Sequence, residues 1–341
     1  MALWRTIDGW LGWLDGWHFA RRRWRYRHGP RLFHRGWGEQ AVFDAVHAQW
    51  LRNDPPAPVD IVWTAEPAEL VDGFHLQVGR FEVPRHAEHL PPVAREAEVL
   101  WLQARLDGGG PQVVLMPGLC EAGPQDRMPL ARALAQRGIS SLLLDSPLRG
   151  RRAPPQQPPE APLAQLSDFV LQNATSAEEG RSLLAWLHSR GHRRLAVAGT
   201  SHGGYLAAVA GLRSDALVHV AALVSPHSGV PLLLEGLAGG HCDWPALQRS
   251  CGGRQPVGEL LRRLFALTSL EQLPLPRERQ RLTWIAARND RYVPRHVGER
   301  MQRHFGSHAE VRWLPGGHIS SRLRRHHLVD AVAELFAGPA R

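Results

Sequence analysis

The sequence predicts an α/β protein built on a doubly wound, mainly parallel sheet. Three observations predict it: short apolar runs alternate with helical patterns beyond residue 111, those runs are near-continuous as in strands buried on both faces, and turn residues close several of them. The regular pattern begins after Gly108-Gly109-Gly110-Pro111. Val113 to Met116 is the first run and stops at Pro117-Gly118; Met128 to Arg137 then reads as a helix, and Ser140 to Leu144 as a second run ended by Asp145. Arg149 to Pro162 carries five prolines and predicts an exposed loop. Ser176 to Arg190 is an amphipathic helix, Leu195 to Ala198 a run entering a Gly-Ser-Gly turn, and Tyr205 to Leu212 a further helix. Val218 to Val224, Leu282 to Ala286 and Val311 to Leu314 complete the set. Residues 225 to 280 break the rhythm with Gly, Pro and mixed helical pattern, including the apolar segment Val230 to Leu237, and predict a cap over the C-terminal edge of the sheet.

Before residue 111 the chain has a different character. The 341 residues suffice for one α/β domain, placed at 55–341, with an N-terminal extension at 1–54. Asp54-Pro55-Pro56-Ala57-Pro58 reads as the linker between them, and irregular strands are expected from there to about residue 105. Six of the 13 tryptophans fall in the first 40 positions: Trp4, Trp10, Trp13, Trp17, Trp24 and Trp37. Trp10, Trp13, Leu14 and Trp17 share one helical face, and Arg21-Arg22-Arg23-Trp24-Arg25 follows. Two readings stand open: an interfacial helix with indoles at headgroup depth and guanidiniums on anionic phosphates, or indoles packed on the domain.

Arginine supplies all 41 fixed positive charges against 32 acids, a net +9, which reflects either composition bias or attraction to anionic partners. Because the arginines are scattered and form no recognition module, nucleic-acid binding is not expected. Cys120, Cys242 and Cys251 show neither disulfide nor zinc spacing, so no metal or cofactor is expected and a reducing, cytoplasmic setting is. The sequence shows no apolar run long enough for a spanning helix.

The most specific string is Gly199-Thr200-Ser201-His202-Gly203-Gly204, set between a predicted strand and a predicted helix. A tight strand-to-helix turn projects the Ser201 hydroxyl above the sheet, and glycines two residues either side avoid Cβ clashes. A serine hydroxyl is a poor nucleophile at neutral pH, so it needs a base, and the base needs a group that fixes its tautomer. When such a turn sits in a sheet of this kind, the acid and then the histidine follow it along the chain. Asp290 follows the run from Leu282, and His318 follows Pro315-Gly316-Gly317 after the last run. Among the rivals, His202 is pinned to the turn and reads as a pocket-shaping residue, His326 and His327 as solvated surface, and Asp145 as a structural turn residue. An oxyanion formed at Ser201 needs backbone N–H donors, expected from His202 and from Leu119, with Cys120 as the alternative to Leu119. Gly118, Cys120 and His202 are the expected pocket wall.

Several of these strings resemble one branch of the α/β-hydrolase superfamily, the family named for abhydrolase domain-containing protein eighteen. The strings that carry the resemblance are Arg31 to Gly38, Ser141 to Pro147 with Gly150 and Arg152, the serine turn, Asp290 to Arg295, and Gly316-Gly317-His318-Ile319-Ser320. The resemblance implies a serine hydrolase using Ser201, Asp290 and His318, places the N-terminal region within the family domain, and suggests lipid acyl esters as substrates. His202 departs from it, since relatives usually carry Met there. The expected activity is therefore hydrolysis of a carboxylic ester through an acyl-serine, with thioester or amide hydrolysis by the same residues as the alternative. A non-catalytic membrane-associated scaffold is the rival from another class.

Overall fold

The structure, a computed structural model, describes residues 2–25, 27–64, 69–105, 110–158, 160–252 and 256–337, and for the first helix the side chains from residue 12 to 24. Gly108, Gly109 and Pro159, and the side chains of Trp4 and Trp10, lie outside the described residues. The strands are β1 (Val62–Trp63), β2 (Glu69–Val71), β3 (Phe74–Glu82), β4 (Glu96–Gln103), β5 (Gln112–Leu115), β6 (Ser140–Leu144), β7 (Leu195–Thr200), β8 (Val218–Leu223), β9 (Leu282–Ala287) and β10 (Glu310–Leu314). They form one sheet in the order β1-β3-β4-β6-β5-β7-β8-β9-β10, with β2 paired to β3. From β6 to β10 every pairing is parallel, whereas β4 and its neighbours run antiparallel at one edge.

Side-chain alternation assigns the two faces. Val114, Leu142, Val197 and Val220 point to one side, against α4 (Leu166–Ser189), α5 (His202–Leu212) and α8 (Arg295–Phe305). Val113, Leu115, Leu143, Ala196 and Ala198 point to the other, against α3 (Met128–Ala135) and α10 (His326–Phe336). A third apolar cluster joins Phe33, Phe43, Leu166, Phe169, Leu233, Leu247 and Phe265. It knits α2 (Gln40–Arg52) and the start of α4 to α6 (Trp244–Ser250) and α7 (Val257–Ala266), which lie between β8 and β9 in the chain. The string Arg31 to Gly38 works inside that cluster: Leu32 and Asp243 bond through their backbones, and the Trp37 indole donates to the Leu247 carbonyl at 3.1 Å.

Three expectations need correction. The helix expected to begin at Ser176 begins at Leu166, because residues 166–175 are buried beneath the third cluster while Asp168 accepts from the Gln165 N–H at 2.9 Å to close its first turn. In place of irregular strands before residue 105, β3 and β4 form a long antiparallel pair, in register from His75 opposite Gln103 to Glu82 opposite Glu96. The loop from Arg149 is exposed only in part. Arg152 is wholly buried, bonded to Glu179 at 2.7 Å, to Asp145 at 3.1 Å and to the Ala94 carbonyl at 2.8 Å. Such a charge enters the interior only when paired and fully hydrogen-bonded.

The first helix, α1 (Ala2–Arg25), lies against α9 (His318–Leu323). Among its described side chains the exposed indoles are Trp13, Trp17 and Trp24, at 60%, 47% and 68%, while Gly12 and Asp15 are buried. The helix thus docks on the domain with these tryptophans facing outward. Among the described residues no helix is long and apolar enough to cross a membrane.

Candidate active site

Three strand ends meet at one point. Ser201 stands between β7 and α5 with φ 59° and ψ −125°, a conformation costly for a residue with a Cβ and held here by its surroundings. Its N–H donates to the Leu223 carbonyl at the end of β8, at 2.7 Å. The turn leaves no room beside it: a Cβ on Gly199 would lie 2.2 Å from the Gly203 carbonyl oxygen, and one on Gly203 would lie 2.6 Å from that of Met116. The second contact presses the start of α5 against the loop after β5, which carries Gly118 and Leu119.

His318 follows β10, and its Nε2 lies 2.9 Å from Ser201 Oγ. Its Nδ1 lies 2.8 Å from Oδ2 of Asp290, which follows β9. The other oxygen of Asp290 accepts from the backbone N–H groups of Tyr292 at 2.8 Å and Val293 at 2.7 Å. Burial pushes the Asp290 carboxyl up, while the adjacent His318 and the Val293 N–H pull it back down. With one carboxylate oxygen committed to the backbone, the free one faces Nδ1, so the histidine proton sits on Nδ1 and Nε2 is left to accept from the serine.

A cavity of about 390 Å³ opens from Ser201 and His318. Gly118, Leu119 and Cys120 line it, as do the apolar Leu163, Leu232, Ala238 and Ile319. Its wall also gathers the exposed Arg23, Arg27, Arg31 and Arg322, the half-buried Arg22 and the buried Arg149, with Glu160 as the acidic residue among them. Two histidines add no fixed charge there. Burial lowers His241 to about 4, and burial with Arg22 and Arg322 lowers His18.

His202 is not among the residues lining the cavity, contrary to the pocket role expected for its side chain. The first turn of α5 swings the imidazole back onto α4, where Nε2 lies 2.6 Å from Asn173 Oδ1 and the ring packs near Phe169 and Tyr205. Burial lowers its pKa to about 4, so the ring is a neutral core group. Asp145 stays a structural residue bonded to Arg152 and to the Glu98 N–H, and His326 and His327 sit at the start of α10 away from the cavity.

The sequence reading missed Asp15, His18 and Tyr292. Tyr292 is stacked at an angle on His318 with ring centres 5.2 Å apart, and its hydroxyl bonds His18 Nδ1 at 2.9 Å. Asp15 is fully buried and accepts from the His318 N–H at 2.9 Å. Asp15 is one of two acids, with Asp8, in a Trp/Arg-rich helix, and nothing in the local sequence sets it apart.

A mainly parallel sheet with a serine turn, an acid and a histidine in that chain order at the ends of β7, β9 and β10 defines the α/β-hydrolase fold. The chain belongs to the family described as alpha/beta hydrolase domain containing 18, which it matches over residues 30–260 and 254–336. No curated protein matches it. In fold it is similar to acetyl xylan esterase 1 from Thermoanaerobacterium sp. JW/SL YS485, with a TM-score of 0.56 at 13% identity over 90% of this chain and 97% of that one. It is likewise similar to the acetyl xylan esterase from Paenibacillus sp. R4, with a TM-score of 0.57 at 16% identity over 89% and 96% of the two chains.

Proposed function

We propose that the protein is a serine hydrolase that cleaves carboxylic esters through an acyl-Ser201 intermediate. The observation that carries this reading is the unbroken relay Ser201 Oγ, His318 Nε2, His318 Nδ1, Asp290 Oδ2, with contacts of 2.9 and 2.8 Å. As Ser201 attacks the acyl carbonyl, its proton passes to His318 Nε2, and Asp290 stabilises the imidazolium. The proton is then delivered to the departing alkoxide, and water repeats the sequence to release the acid. Backbone N–H groups of His202 and Leu119 receive the oxyanion; support for that role is the packing of the serine turn onto the loop that carries Leu119.

An apolar cavity with an arginine-rich mouth suits an amphiphilic ester whose acyl chain enters and whose anionic part stays at the rim, as a lipid acyl ester does. Outward-facing Trp13, Trp17 and Trp24, with Arg21 over the Trp17 ring at 5.4 Å and Arg27 over the Trp24 ring at 5.6 Å, suit peripheral binding to an anionic membrane surface from a reducing compartment. Fluorophosphonate labelling tests the mechanism: wild type is labelled and Ser201→Ala is not. Equal labelling of both would remove Ser201 from the chemistry.

A further inference from the structure

We infer that Asp15, on the N-terminal helix, is a positioning residue that sets His318 against Asp290 and Ser201, so that α1 belongs to the catalytic apparatus. This rests on the serine-hydrolase reading. The Asp15 carboxylate is fully buried and sits where the two loops of the site meet. Oδ2 accepts from the Arg291 N–H at 3.0 Å and the His318 N–H at 2.9 Å, and Oδ1 accepts from the Ile319 N–H at 2.8 Å. One side chain therefore ties the backbone beside the acid to the backbone of the base. The loops leave different strands, β9 and β10, and the carboxylate joins them directly at the site.

The chemistry of the contact selects an acid. Three N–H donors converge on two oxygens, and only an ionised carboxylate offers acceptors at both ends with no donor to oppose them. An asparagine would turn an NH₂ group toward at least one of the three. The helix is also shaped for the approach: a Cβ on Gly12 would lie 3.0 Å from Asn289 Cβ and 3.4 Å from the Asn289 carbonyl oxygen. Gly12, Asp15, Gly16 and Phe19 recur at helical spacing, on a face distinct from the one that carries Trp13, Trp17 and Trp24. Phe19 lies on His241, with ring centres 4.6 Å apart, and His18 holds Tyr292 behind the His318 ring. Asp15 precedes the stretch that the family match covers, which starts at residue 30.

The test uses full-length Asp15→Asn, Asp15→Ala and Gly12→Val, with turnover of p-nitrophenyl butyrate, near-UV circular dichroism, and the downfield proton resonance of the His318–Asp290 hydrogen bond. Asp15→Asn is expected to keep the native dichroism and a nearly unchanged KM while kcat falls by about 100-fold, the cost of displacing a catalytic group by about an ångström. Its imidazole resonance should shift or broaden, which a merely structural role would not produce. In Asp15→Ala added formate should restore much of kcat, having no effect on wild type. Gly12→Val, which leaves Asp15 in place but lifts the helix from Asn289, should lower kcat as well. Wild-type kcat and an unmoved resonance in a folded Asp15→Asn or Gly12→Val would overturn the inference. An inactive wild type would strike the serine-hydrolase reading instead, and the resonance would still decide whether Asp15 sets the His318–Asp290 contact.

Discussion

Replacing Asp290 by Asn keeps the shape of the site and inverts one hydrogen bond. The amide oxygen stays where Oδ1 now accepts from Tyr292 and Val293, at 2.8 and 2.7 Å, because those N–H groups reject an NH₂. The NH₂ is thereby forced toward His318 Nδ1, where a carboxylate oxygen stood at 2.8 Å. A donor facing Nδ1 moves the ring proton to Nε2, the atom that must accept from Ser201. The enzyme then holds the wrong tautomer and lacks the charge that stabilises imidazolium; the same inversion in other serine hydrolases costs about 10⁴-fold in turnover, or about 5 kcal/mol of transition-state stabilisation. Stability should not fall, since the substitution removes a buried carboxyl that desolvation already disfavours in its charged form. Steady-state turnover of a p-nitrophenyl ester, with urea unfolding alongside, measures both. A folded Asp290→Asn within tenfold of wild type would refute the assignment of the proton.

Other consequences follow from groups around the site. Arg152→Met should cost about 3 to 5 kcal/mol in urea unfolding, because it strands Glu179, which burial already pushes to about 7. That loss should be larger at pH 8 than at pH 6, since an unpaired Glu179 must take up a proton to remain buried; a loss independent of pH contradicts this. His202 is held neutral with its pKa lowered to about 4, so below pH 6.5 the unfolded chain binds a proton that the folded chain refuses. Stability should fall as pH drops from about 6.5 toward 4, and His202→Gln should flatten the slope by about 1.4 kcal/mol per pH unit. An unaltered slope in paired unfolding curves would show that the ring ionises in place. Trp13→Ala, Trp17→Ala and Trp24→Ala combined should weaken sedimentation with anionic vesicles by about tenfold or more and leave turnover of a soluble ester within about twofold. Undiminished binding removes these indoles from the docking face.

The fold was readable wherever a strand is buried on both sides. Ser140–Leu144 matches its expected bounds residue for residue, and the serine turn and the acid each follow such a strand, whereas His318 follows the half-buried edge strand β10 and is legible from Pro315-Gly316-Gly317 after an apolar run. Residues 166–175 hid because they are covered by the cap cluster and so lack a clean helical stripe. The arginine-rich lining hid for another reason: residues 22, 23, 27 and 31 reach it from the N-terminus, the buried 149 from the loop after β6, and 322 from α9. Only the folded chain brings them together. His202 misled because adjacency to Ser201 fixes the backbone N–H while the helix turn sends the ring to Asn173. Asp15 acquires its meaning from a backbone 303 positions away, which no local pattern conveys.

The proposed relay requires that the Ser201 hydroxyl become covalently acylated during turnover. Rapid quenching with p-nitrophenyl butyrate, followed by peptide mass spectrometry, tests it most directly. A butyryl group is expected on the peptide containing Ser201, accumulating in His318→Ala only far more slowly than in wild type. Turnover at the wild-type rate with the butyryl group on another residue, or from Ser201→Ala itself, would contradict it.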